Sequence, residues 1–152
     1  TEVFLMNIIS QFHQFLENSF HSFLEKYFLE SNFWHKSSDF NNYINFITDL
    51  DSFSYSFMIN AIKVYFEHMD EVFFHTSYRK SFCKSKGFYN RTIMTLFGEV
   101  TFKRRYYFDK NTNEYFFFTD FFLNLPKRKF FDPFVCSEVC DMAASTSYSK
   151  AG

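Results

Sequence analysis

Glycine and proline are almost missing: 3 Gly and 2 Pro stand in 152 residues. The chain accordingly has no glycine-rich loop to cradle a phosphate, and it carries neither a nucleophile elbow nor a Cys-His signature. Cysteine is scarce as well. Cys83, Cys136 and Cys140 build no framework of a secreted disulfide scaffold, so reduced thiols in the cytoplasm are the expectation. No run of about 18 apolar residues is present that would cross a bilayer, and the N-terminus lacks the basic-then-apolar order of a signal peptide. The expected partners therefore include no membrane, and nothing points to a small-molecule substrate.

What is abundant is the aromatic ring. The chain holds 27 Phe and 10 Tyr, and a domain of this size has too little interior to hide them all. Codons rich in A and T encode Phe, Tyr, Lys, Asn and Ile, and such drift accounts for the count. Whichever rings stay exposed still form contact surface. The net charge of -1 conceals a split. Up to Tyr78 there are 3 Lys and Arg against 10 Asp and Glu, a net of -7; from Arg79 onward there are 13 against 7, a net of +6. The second half is the candidate for a polyanionic partner, and docking of the acidic half on the basic half is the plainer alternative.

Along the chain, Val3 to Leu29 repeats apolar residues at helical spacing, with Phe4, Ile8, Phe12, Phe15, Phe20, Phe23 and Tyr27 on one stripe. Ser31 to Ser38 breaks the pattern, Asp39 caps a helix over Phe40 to Leu50, and a third helix runs from Phe53 or Ser56 to Phe74. Residues 1–78 are thus an acidic, Phe-rich helical region, and 79–90 read as a basic connector interrupted by Gly87.

The run RTIMTLFGEVTFKRRYY, from Arg91 to Tyr107, is the most informative stretch. Val100, Phe102, Arg104, Tyr106 and Phe108 alternate with Glu99, Thr101, Lys103, Arg105 and Tyr107, which predicts a strand with one mostly apolar and one cationic face. Thr92 to Phe97 is its hairpin partner, with Gly98 where positive φ is needed, and DKNTNE turns into a third strand, Tyr115 to Thr119. The fold class is therefore α+β: N-terminal amphipathic helices, a three-stranded antiparallel meander over about 91–120, and a C-terminal helix. Residues 91–130 hold the meander and a basic loop, Pro126 to Lys129; 131–152 hold a helix capped by Asp132 with Pro133 at its first position, then Ser147 as cap of a further helix.

Few constellations suit chemistry. His68, Glu71 and His75 share a helix face, and Cys136 and Cys140 are one turn apart, but both sets are better read as an ordinary polar face and as small buried hydrophobes. No metal or other cofactor is expected here, and whether the chain is an enzyme is left open. The basic cluster is the better candidate. Lys84, Lys86, Arg91, Lys103, Arg104, Arg105, Lys127, Arg128 and Lys129, interleaved with Tyr89, Tyr106 and Tyr107, form the expected nucleic-acid-binding set, cations for phosphates and rings for unpaired bases. Arg104 points opposite to Lys103 and Arg105 on a strand, so all three reach one surface only with a bulge.

The same run, followed by DKNTNEYFFF and the closing SYSKAG, resembles the N-terminal half of the ISLre-type bacterial insertion-sequence transposases, many of which were first described only as an uncharacterised protein family. The likeness is close over 90–115 and 147–152 and weak over 57–89. It implies a cut-and-paste transposase whose carboxylate triad would hold divalent metal ions such as Mg, with those carboxylates beyond Gly152. No residue here inherits a catalytic role. The expectation is an N-terminal, non-catalytic fragment with a DNA-binding or assembly role at transposon ends, or a relic of a decayed element. The alternatives are a structural module that forms a homo-oligomer without DNA and, more remotely, a stand-alone metal-dependent enzyme.

Overall fold

A computed structural model describes residues 2–29, 40–125, 127 and 130–149. Two units divide the chain, residues 1–61 and 62–152.

In the first unit, α1 (Glu2–Leu24) runs into a π-helical turn, Glu25–Leu29, and pairs with the first part of α2 (Phe40–His75). Ring contacts Phe12–Phe57, Phe20–Phe53 and Phe23–Phe46 run in opposite directions along the two helices, which makes an antiparallel hairpin zipped by phenylalanines. Tyr27 is buried at its end, and its hydroxyl and Lys26 both donate to Asp49. The expected break near Leu50 is absent: α2 is continuous over 36 residues. No glycine or proline interrupts it, and the hydroxyls of Thr48 and Ser54 donate back to the carbonyls of Ile44 and Leu50 instead of capping a new helix. The expected break at Ser31 to Ser38 and the Asp39 cap lie outside the described residues.

In the second unit, α2 ends at His75 and Thr76 caps α3 (Ser77–Phe82), its hydroxyl accepting from the Arg79 N–H. The sheet follows as β1 (Cys83–Thr95), β2 (Gly98–Asp109) and β3 (Glu114–Phe117), antiparallel in the order β1-β2-β3. The meander is present with longer strands than its hydrophobic pattern suggests. Most of the stretch expected as a connector is α3 and the first half of β1; its composition misled because residues 84–90 are exposed on both faces and so show no apolar alternation. Gly98 takes φ +122° at the mouth of the Leu96-Phe97 turn.

Past β3 the chain turns into α4 (Phe118–Phe122), so the expected third strand stops two residues early. Segment 130–132 returns along the outer edge of β1: Met94 N–H donates to Phe130 at 2.7 Å, and Asp132 N–H to Met94 at 3.0 Å. Helix α5 (Pro133–Ser149) begins as expected, with the Asp132 carboxylate accepting from Phe134 N–H at 2.7 Å, but it passes through Ser147 without a second start. Among the described residues no helix is long and apolar enough to cross a membrane.

Candidate nucleic-acid interface

Strand register sorts the basic and aromatic residues onto two faces. Tyr89 pairs with Arg104, Arg91 with Phe102, and Tyr106 with Phe117, while Phe108 pairs with both Lys84 and Tyr115. These side chains share one face. Lys86 joins its margin at a bulge, where Lys86 and Gly87 together oppose Tyr106 and Gly87 takes φ +121°. Arg105, Tyr107, Phe116 and Phe88 point the other way.

That second face is the structural one. Phe73 of α2 meets Tyr107 edge-on at 5.1 Å, and Phe118 stacks flat on Phe73 at 4.0 Å. Arg105 donates to Asp70 at 2.8 Å and to Glu71, its guanidinium lying between the rings of Phe74 and Phe88. Burial opposes the charge on Arg105, but the Glu71 hydrogen bond and the charges of Glu71 and Asp70 outweigh it and raise the pKa. Burial moves Asp70 upward against that same partner. Helix α2 also takes the edge of β2 that β3 leaves unpaired. Glu67 accepts the Lys103 N–H at 2.9 Å, between Phe66 against Phe102 on one face and Asp70 against Arg105 on the other. The buried residues therefore change parity along β2: Val100 and Phe102, then Arg105, Tyr107 and Asp109. A strand with one apolar and one cationic face, as the alternation suggests, does not exist.

Phe66 covers the first face at Phe102, and the face is open from Tyr89 and Tyr106 to Tyr115. Tyr89 and Tyr115 are 51% and 52% exposed, with Tyr106 stacked on Tyr115 at 5.2 Å and edge-on to Tyr89 at 5.6 Å. Beside them a cleft of about 660 Å³ is lined by Arg91, Arg104, Tyr106, Tyr115, Asp120 and Lys127. Arg91 donates to Asp120 at 2.6 Å, and Arg104 shares that carboxylate while stacking on Phe117 at 3.6 Å. Burial lowers the pKa of Arg104 against the opposing pull of Asp120, with a smaller push in the same direction from the neighbouring Arg91. Two guanidiniums thus converge on one carboxylate, and the Nε of Arg104 is buried without a hydrogen-bond partner.

Of the expected nucleic-acid-binding set, the fold brings Lys84, Lys86 and Lys127 to the open side as exposed cations, with Arg91 and Arg104 behind them in the cleft. Lys103 is exposed on the opposite face, and Arg105 is removed from the set because α2 buries it on two carboxylates. Tyr107 leaves the surface with it, wholly buried. Arg128 and Lys129 lie outside the described residues. Tyr115, Phe117 and Asp120 stand outside any basic run; the aromatic strand after the polar turn is the only sequence signal that bears on Tyr115 and Phe117.

Metal chemistry has no visible seat: among the described residues no group of three or more His, Cys, Asp or Glu converges as ligands. Glu71 and His75 bond each other at 2.8 Å, and Glu71 is also held by Arg105. Cys136 and Cys140 are exposed instead of buried.

No curated protein and no solved structure matches the chain. A family model does match residues 51–152, more than half of the chain, and by that match the chain belongs to the Uncharacterised protein family (UPF0236).

Proposed function

We propose that the chain is the N-terminal, non-catalytic part of an insertion-sequence transposase of the ISLre type, with a DNA-binding or assembly role at transposon ends in the cytoplasm. The resemblance of RTIMTLFGEVTFKRRYY to that family motivates the reading. The observation that carries it is the open sheet face, where Lys84 and Lys86 flank Tyr89, Tyr106 and Tyr115, with Lys127 at the adjoining cleft. Exposed lysines meet phosphates without breaking an internal ion pair, and the outer rings between them, Tyr89 and Tyr115, are half exposed. Strand cleavage and joining would belong to metal-binding carboxylates of the kind the resemblance implies beyond Gly152.

Fluorescence anisotropy with a duplex carrying the element's own ends tests the reading. Three or four lysine–phosphate contacts give a slope of log affinity against log salt of about -3 to -4, and the double substitution Lys84→Glu, Lys86→Glu lowers the slope and the affinity together. Absence of binding at low salt, or binding indifferent to salt, rules it out.

A second reading has its own support. Arg91, Arg104 and Arg105 are spent on Asp120, Asp70 and Glu71 inside the fold, and Met6, Ile9, Phe20 and Tyr43 of the first unit are exposed. Those features fit a structural module that assembles with itself. A discrete oligomer in light scattering, with no DNA shift and no effect of the lysine substitutions, favours it.

A further inference from the structure

Bases in a DNA duplex are stacked on one another, so a duplex offers a protein mainly phosphates and groove edges. Rings laid across an open sheet find no partner there. Unpaired nucleotides are different: each has a free π face for an aromatic side chain and a phosphate within reach of a nearby cation. On the open face Tyr106 and Tyr115 are stacked with an interplanar angle of 19°, Tyr89 stands edge-on at the other side of Tyr106, and both outer rings are half exposed. The adjoining cleft, about 660 Å³, falls within the size range of ligand pockets. Its lining sets Arg91, Arg104 and Lys127 against Asp120 and Glu114, which leaves one positive charge in excess.

We propose that this face is a stacking platform for single-stranded DNA, with bases on the half-exposed rings of Tyr89 and Tyr115, which Tyr106 holds apart, and the phosphates beside them met by Arg104 and Lys127. The inference rests on the DNA-binding reading and narrows it, from DNA in general to unpaired strands such as those exposed when a transposon end is opened. Asp120 holds the Arg104 guanidinium in place, so that it meets a phosphate without reorganising.

The test compares the whole chain's affinity for three labelled probes at one low salt concentration: an oligothymidylate of about 12 nucleotides, a blunt hairpin duplex with as many phosphates, and an oligouridylate of equal length. Oligothymidylate is expected to bind at least about 10-fold tighter than the duplex. Tyr115→Leu should weaken it about 5- to 100-fold and Tyr115→Phe only slightly, because the stacking plane is retained. Tyr115 is exposed, so neither change endangers folding. Duplex preferred or equal, or Tyr115→Leu without effect, overturns the platform while leaving the DNA reading intact. Preference for oligouridylate overturns it as a DNA site. If nothing binds, both the platform and the DNA reading fall.

Discussion

Arg105 and Asp70 face each other across the strand–helix boundary at 2.8 Å, their side chains only 10% and 3% exposed. The acidic half of the sequence meets the basic half at this point, through one guanidinium that also reaches Glu71. A charge buried to this extent is tolerated only while paired. Arg105→Met is therefore expected to leave Asp70 and Glu71 as neighbouring buried anions and to cost about 3–5 kcal/mol. Urea unfolding measures it, and a loss below about 1 kcal/mol would mean that water reaches the carboxylates.

Tyr107 lies under the same helix, wholly buried, with no hydrogen-bond partner for its hydroxyl. Burial, and the nearby charge of Asp70, push its pKa well above the ordinary 10.0. The unfolded phenol ionises first as pH rises, so stability is fully present below pH 10.0 and is lost on the way up to the folded value. Tyr107→Phe should cost little at about pH 8 and become the more stable protein at about pH 11. The difference between the two urea midpoints at each pH is the measurement, and a constant difference would show that this phenol does not titrate in that window.

Cysteine chemistry separates along the same line between inside and outside. Cys83 is buried, and its thiol is raised above its ordinary value mainly by that burial. Thiolate is the reactive form, so iodoacetamide should label Cys136 and Cys140 in the native protein and Cys83 only after unfolding. Peptide mass spectrometry over a time course reads this directly. Native labelling of Cys83 at the rate of the other two would place the start of β1 in solvent.

How much of this was legible in the amino-acid sequence differs by element. The β2–β3 turn and the Asp132 cap were readable because DKNTNE and Asp-Pro have few other local uses. The start of β1 was not, since KSKGFYN exposes both faces and its strand character comes wholly from the ladder with β2. The arginines were the instructive case. Arg104 and Arg105 are adjacent and identical in type, yet one lines the open cleft and the other is sealed under α2. Nothing local distinguishes them; the outcome is decided by Asp70 and Glu71 arriving from 35 and 34 positions away.

Gly87 links backbone conformation to the candidate interface. Its φ of +121° is one that side chains rarely adopt, and no atom lies within 4 Å of where a Cβ would stand. Any penalty of Gly87→Ala is then backbone strain alone, about 1–3 kcal/mol. Relief of that strain would require the bulge to open, which moves Lys86 relative to Tyr106 and shifts the register of everything before it against β2. Gly87→Ala should therefore weaken DNA binding more than its loss of charge predicts, since it removes none, while Lys86→Ala removes one cation and leaves the bulge. Anisotropy titrations of both variants, taken with their urea stabilities, separate the two effects. If Gly87→Ala were as stable as the parent and bound DNA equally well, the bulge would have no part in placing the lysines.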